Sequence, residues 1–357
     1  MNGEKSRNID VYSQFRAMLR AAPRSLSFNK DTRKDFYSWK AAFKKKIEEL
    51  LGRFPKPVPL NPAVVEEIYI DDFEDIGIPP FIQKKILYDT DKYSSCMAYL
   101  LLPANLNDKE KRPAILNAHG HGMGNKKLIG LDPGTWGIEG PNYEASAIHL
   151  VKEGFIVLAP DWRPFGERRL RPDYQRRGRD PCNITHMSFK YFDYNLLSLN
   201  ISDAMRSVDY LSSIPQVDTR KIGMVGKSYG GTMTAYTAAL DERISVAAIS
   251  GYLSTLDDAM SDRGLGNYCG AQFLPGLLNW GDIPDVIGLI APRPLLIEAG
   301  ERDECFVFQD TTKAYELLSE IYEAAGSLNM LQRDVAKVGH EYIFNKLPCF
   351  LSKYLKN

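Results

Sequence analysis

A chain of 357 residues with 45 basic and 45 acidic side chains carries no formal net charge, which gives no support to a general role on nucleic acid or an anionic membrane. At 44% hydrophobic and 25% charged residues it has a globular composition, long enough to bury its own core, without low-complexity tracts or internal repeats. No run approaches ~18 consecutive apolar residues, so no membrane span is expected.

The first residues, MNGEKSRNID, are charged and lack the apolar stretch of a secretory signal. Residues 1–60 read as a polar helical extension. DTRKDFYSWKAAFKKKIEELLGRF is its clearest helix, with Asp31 as the expected cap, and PKPVPLNP ends it. From about 64 the apolar period shortens. VVEEIYI, IQKKILY and CMAYLLLP predict an antiparallel opening to a sheet. AILNA (114–118), FIVLAP (155–160), KIGMVG (221–226), ISVAAIS (244–250) and PLLIEAG (294–300) are short and wholly apolar, as strands buried on both faces of a parallel sheet are. Helical patterns at about 143–153, 197–213, 229–240 and 310–325 fall between strands, and one near 341–355 closes the chain. Such alternation predicts βαβ units within one domain, residues 61–357. Stretches at about 163–195 and 252–290 are too long for plain connections and are expected to cap a pocket at the C-terminal ends of the strands, with 128–143 a shorter loop of the same sort.

Five cysteines (Cys96, Cys182, Cys269, Cys305, Cys349) are scattered, odd in number and without a CxxC pair. That pattern predicts free thiols in a reducing, cytoplasmic setting.

The chemistry starts at GKSYG, residues 226–230, where a Gly-x-Ser-x-Gly ends a predicted strand and opens a predicted helix. A serine on such a turn projects its hydroxyl above the sheet, and side chains at the flanking glycines would collide with the helix and the neighbouring strand. Ser228 is therefore the candidate nucleophile, and the backbone N–H of Tyr229 at the helix start a candidate oxyanion donor. A hydroxyl needs a base. Of the five histidines only His340, in KVGHEY, follows Ser228, in the order Ser, acid, His expected of this motif. The acid should end the strand between them. In PLLIEAGERDECF, Asp303 is favoured over Glu301, Glu304 and Asp310, to fix the imidazole tautomer and stabilise the imidazolium. NAHGHGMGN after an earlier strand lets backbone approach closely, and the amide of His121 is the second oxyanion candidate. His119 and His121 stand two residues apart with His149 and His186 distant, so no metal site is expected.

In the order HGHG, APDWRPFGER, GKSYGG, APRPLLIEAGERD and GHEY, the chain resembles the α/β-hydrolase superfamily over roughly 65–357. More narrowly, it resembles dienelactone-hydrolase and acetyl-xylan-esterase-like bacterial serine esterases. The resemblance implies an α/β-hydrolase fold: a mainly parallel sheet of about eight strands flanked by helices, here with loop caps and the N-terminal extension. It also implies hydrolysis of carboxylic esters, with Ser228, Asp303 and His340 at the triad positions and His121 at the oxyanion position. Dienelactone hydrolases proper carry cysteine where this chain has serine, and the acetyl-xylan branch commonly shows HGY and GxSQGG where this chain has HGH and GKSYGG.

Other residues admit two readings. Asp161 and Arg163 could form a buried ion pair, the favoured role, or Arg163 could meet substrate. Trp162 could line the pocket or pack the core. The arginines of GERRLRPDYQRRGRD (166–180) are expected on the solvated face of a cap, paired with local acids, with anion binding as the alternative. CGAQFLPGLLNW (269–280) suits a pocket wall or plain core. The expectation is a carboxylesterase acting on small or short-chain esters without cofactor, nucleic acid or membrane. An acetyl-xylan esterase, a prolyl-oligopeptidase-like peptidase and an inactive binding module are the alternatives. The lead helices can dock on their own chain or swap onto a second copy, which makes a homo-oligomer one expected state.

Overall fold

Two aspartates start the lead helices. In the computed structural model, which describes all residues except 1–9, 30, 72–76, 108, 132–135, 138–139, 142–144, 171–179 and 263–266, α1 (Val11–Ala21) is capped by Asp10 and α2 (Phe36–Leu51) by Asp35. The expected cap, Asp31, instead precedes a short 3-10 turn and makes no capping bond. Asp35 wins because it directly precedes the apolar stripe Phe36, Trp39, Phe43, Ile47 and Leu51, whose spacing of three or four residues faces one side of the helix. That stripe is buried in the same core as the sheet. The amides of Ser25 and Leu26 also donate to the carbonyls of Asn279 and Trp280, so the lead segment docks on its own chain.

The remaining elements follow in order: β1 (Ala63–Ile70), β2 (Phe81–Asp91), β3 (Ser94–Pro103), β4 (Arg112–Ala118), α3 (Asn125–Leu128), a two-residue ribbon of β5 (Trp136–Gly137) and β6 (Gly140–Pro141), α4 (Ser146–Lys152), β7 (Ile156–Pro160), α5 (Pro181–Lys190), α6 (Leu196–Ser213), β8 (Val217–Lys227), α7 (Tyr229–Leu240), β9 (Ile244–Ser250), α8 (Leu256–Asp262), α9 (Ile283–Gly288), β10 (Leu295–Gly300), α10 (Phe308–Ala324), β11 (Leu331–Ala336) and α11 (Leu347–Leu355). The main sheet runs β1-β2-β3-β7-β4-β8-β9-β10-β11. Pairing is antiparallel through β3 and β7, and parallel from there to β11. This is the mainly parallel, helix-flanked sheet of the α/β-hydrolase fold, with nine strands among the described residues rather than about eight. The extra one is β11, and β1 forms the exposed edge at the other end. Strand β11, LQRDVA, lies outside the sequence expectation; it sits at an edge with Leu331 and Asp334 buried and the other four residues half-buried.

One apolar layer joins β-strand residues such as Leu116, Met224 and Ile249 to α2, α6, α7 and α10; the other joins Ile115, Val225 and Leu296 to α4 and α11. Because β4, β8 and β9 are in parallel register (Ala118 beside Gly226, Gly226 beside Ile249), their C-terminal ends finish at one level. The turns that follow them meet there. The two long stretches carry helices of their own: α5 in the first, α8 and α9 in the second. Half of the loop at 128–143, and residues 171–179 of the arginine-rich stretch, lie outside the described residues.

Candidate active site

Ser228 stands between the end of β8 and the first turn of α7 with φ 58° and ψ −118°, a conformation a side-chain-bearing residue adopts only when its surroundings impose it. The imposition is steric. A Cβ on Gly226 would lie 2.1 Å from the carbonyl oxygen of Gly230, and one on Gly230 would lie 2.1 Å from that of Ala118 at the end of β4. Helix and strands therefore approach closely enough to force the serine upward. Its own amide is spent on the carbonyl of Ser250, at 2.9 Å.

His340 and Asp303 come from loops after β11 and β10. The imidazole Nδ1 lies 2.8 Å from Asp303 Oδ2, which assigns the proton to Nδ1 as donor and leaves Nε2 as the basic nitrogen. Asp303 is buried, and its Oδ1 accepts from the amides of Cys305 (2.7 Å) and Phe306 (2.9 Å). Burial pushes its carboxyl up, but His340 and these two amides outweigh that and hold it below the usual carboxylate range. Phe306 stacks on the imidazole with ring centres 5.9 Å apart. Glu301 and Glu304, the rival acids, are exposed.

Ser228 and His340 share the wall of a cavity of about 370 Å³ with Gly120, His121, Lys227, Cys269 and Phe306. Gly120 lies beside the serine: a Cβ there would be 3.5 Å from Ser228 Cβ. The HGHG turn and the start of α7 thus flank the hydroxyl from two sides, with the rings of His121 and Tyr229 5.3 Å apart.

With that geometry in hand, the match of the Abhydrolase family to residues 2–330 is decisive. The chain is a member of the Abhydrolase family. This member is 27% identical over 334 residues, covering 88% of this chain and all of its relative, to the Bacillus subtilis (strain 168) protein named "Putative hydrolase YtaP". Among solved structures it is similar to a "putative acetyl xylan esterase" from Bacteroides fragilis NCTC 9343, with TM-score 0.75, 20% identity and coverage of 94% of this chain and 85% of that one. It is also similar to a glucuronoyl esterase from Solibacter usitatus, with TM-score 0.61, 17% identity and coverage of 89% and 93%. At these identities the two structures speak for the fold.

Three sequence expectations need correction. Trp162 does not line the cavity; it is wholly buried in the core, because the chain after β7 turns inward there. Arg163 does not line it either, nor does it pair with Asp161. Its guanidinium meets Asp203 of α6 at 3.0 Å and Asp91 at 2.7 Å, while the Asp161 carboxylate accepts from the amides of Asn125 and Glu167. Arg168 is also turned inward, to Asp203 at 2.6 Å, rather than onto a solvated face. Among potential metal ligands of the described residues, His121, Cys182 and Cys269 converge, their ligand atoms all within 4.8 Å of one another.

The stretch 269–280 proves to be a wall, but chiefly of a second, apolar cavity of about 610 Å³ that α1 helps to close; only Cys269 at its start also reaches the serine's cavity.

Four further residues hold the site. His119 is buried; its Nδ1 donates to Gly120 O (2.7 Å) and its Nε2 accepts from Trp162 N (3.0 Å), which pins the HGHG turn to the end of β7. Burial drives its pKa down to about 3, so it is neutral. Glu298 in β10 accepts from the amide of Phe344 at 2.9 Å and braces the loop after His340, with burial raising its pKa to about 7. Lys227 donates to the carbonyl of His340 at 3.0 Å. Asp203 neutralises Arg163 and Arg168 together. His119, Lys227 and Glu298 lie within the motifs HGHG, GKSYGG and APRPLLIEAGERD, whereas Asp203 lies in no motif that could have drawn notice.

Proposed function

We propose that this chain is a serine carboxylic-ester hydrolase acting on small or short-chain esters through an acyl-enzyme. The observation that carries the reading is the Asp303–His340 hydrogen bond beside a strained serine on the wall of the same cavity. Asp303 keeps the proton on Nδ1, so Nε2 takes the Ser228 proton as the hydroxyl attacks the ester carbonyl. The amides of Tyr229 and His121 hold the oxyanion of the tetrahedral intermediate, helped by the positive end of α7. The alcohol leaves with the proton from His340. Water, activated by the same imidazole, then frees the acid and restores the serine. This chemistry calls for no cofactor.

A cavity of about 370 Å³ suits a short acyl group. Acetylated sugars belong in the substrate panel because a solved relative carries an acetyl-xylan-esterase name. The test is a fluorophosphonate label together with p-nitrophenyl acetate turnover. The expected result is one adduct, at Ser228, and a fall on the order of 10³-fold or more in kcat/KM for Ser228→Ala. Turnover undiminished in that variant would sink the reading.

A further inference from the structure

Beyond the hydrolytic site, side chains from two loops and the first turn of α5 meet at its rim. His121 belongs to the HGHG turn, Cys182 opens α5, and Cys269 lies in the stretch between α8 and α9. The His121 Nε2 is 3.2 Å from the Cys269 Sγ, and the Cys182 Sγ lies within 4.8 Å of both. We propose that His121, Cys182 and Cys269 form a binding site for one soft or borderline divalent cation of the zinc class.

The geometry already approximates a coordination shell. Tetrahedral zinc, with bonds of about 2.3 Å to sulfur and about 2.0 Å to imidazole nitrogen, sets its ligand atoms roughly 3.5–3.8 Å apart. Here all three atoms lie within 4.8 Å of one another, so small side-chain rotations suffice. Two thiolates and an imidazole are the donor set that favours zinc over calcium or magnesium. Each ligand is independently held, as a metal site requires. The His121 ring rests against Phe165 and Tyr229, each with centres 5.3 Å away. The amide of Cys182 donates to Asp180 at 2.8 Å. The amide of Cys269 donates to Gln272, which is itself bonded to Thr232 of α7 at 2.8 Å. The amide of Gly270 donates to Asn183 at 2.7 Å, tying the two cysteine-bearing segments together. Water from the serine's cavity can supply the remaining coordination. A cation reaches the site through that cavity, which His121 and Cys269 also line. On binding, each thiol gives up its proton to solvent.

Zinc held there ties the HGHG turn, α5 and the stretch between α8 and α9 together beside Ser228 and inhibits turnover. This part rests on the ester-hydrolase reading; occupancy of the site does not.

The experiment is a cobalt titration of the reduced, full-length protein. The expected result is a near-ultraviolet thiolate-to-cobalt charge-transfer band that saturates at one equivalent and persists in Cys305→Ser. Cys182→Ser and Cys269→Ser should each lose the band and weaken binding by more than about 100-fold. The Cys305 control is needed because Asp303, Cys305 and His340 form a second cluster of potential ligands. Should the serine variants fold poorly, the native chain answers alone: zinc should protect Cys182 and Cys269, but not Cys349, from iodoacetamide. No charge-transfer band, a band that follows Cys305, or equal alkylation with and without zinc overturns the site. A cobalt band with undiminished ester turnover overturns the inhibitory role.

Discussion

The nucleophile and the base are held in opposite ways. Ser228 is fixed by crowding: backbone of β4, β8 and α7 packs so tightly around Gly226 and Gly230 that the turn has one shape available. His340 sits on a loop after an edge strand and is fixed by polar contacts: Asp303 on its ring, Lys227 on its carbonyl and Glu298 on the amides that follow. Steric restraint is indifferent to pH and charge, while polar restraint responds to both. The two halves of the relay should therefore fail under different perturbations.

After loss of the nucleophile itself, the largest effect should come from Asp303→Asn, which keeps shape but removes the charge facing Nδ1. We expect kcat/KM to fall on the order of 10²–10³-fold, with Glu301→Gln within about twofold of the native enzyme. The reverse ranking in a steady-state assay would reassign the acid. On the crowded side, Gly230→Ala should cost about 3 kcal/mol or more in denaturant unfolding, since its Cβ would overlap Ala118 O. A stable, active variant would show that the elbow relaxes. On the polar side, Lys227→Met should lower kcat about tenfold with little change in unfolding free energy, by freeing the His340 carbonyl.

The smallest effect is a slope. The Glu298 carboxyl titrates near pH 7 in the fold against 4.5 as its reference. A raised folded value means the folded state holds the proton longer, so the stabilisation is complete below about pH 4.5 and is lost as pH rises through about 7. Asp161 and Asp282, both raised to about 6 by burial, act with the same sign. Between pH 5 and 8 the melting temperature of Glu298→Gln should fall less than that of the native protein. An equal fall in thermal scans would remove Glu298 from the account.

The strands that carry Ser228 and Asp303 were legible because their last residues are mostly apolar: burial on both faces leaves a plain signal, and the turns after them expose the two side chains at their ends. Edge strand β11 was not, since one neighbour and one covered face let Gln332, Arg333 and Asp334 into it. The Arg163 partners lay hidden for another reason. Asp203 is 40 residues away on a helix, where nothing in local sequence distinguishes it from a solvated acid. Cys182 and Cys269 show the same limit, being 87 positions apart with no repeat or spacing to link them.

The stripe of Phe36, Trp39, Phe43, Ile47 and Leu51 has a practical consequence for anyone shortening this protein. Starting the chain at residue 61 would strip a lid from the hydrolase core and bare a continuous oily face. The trimmed product should precipitate on expression rather than emerge as a minimal enzyme.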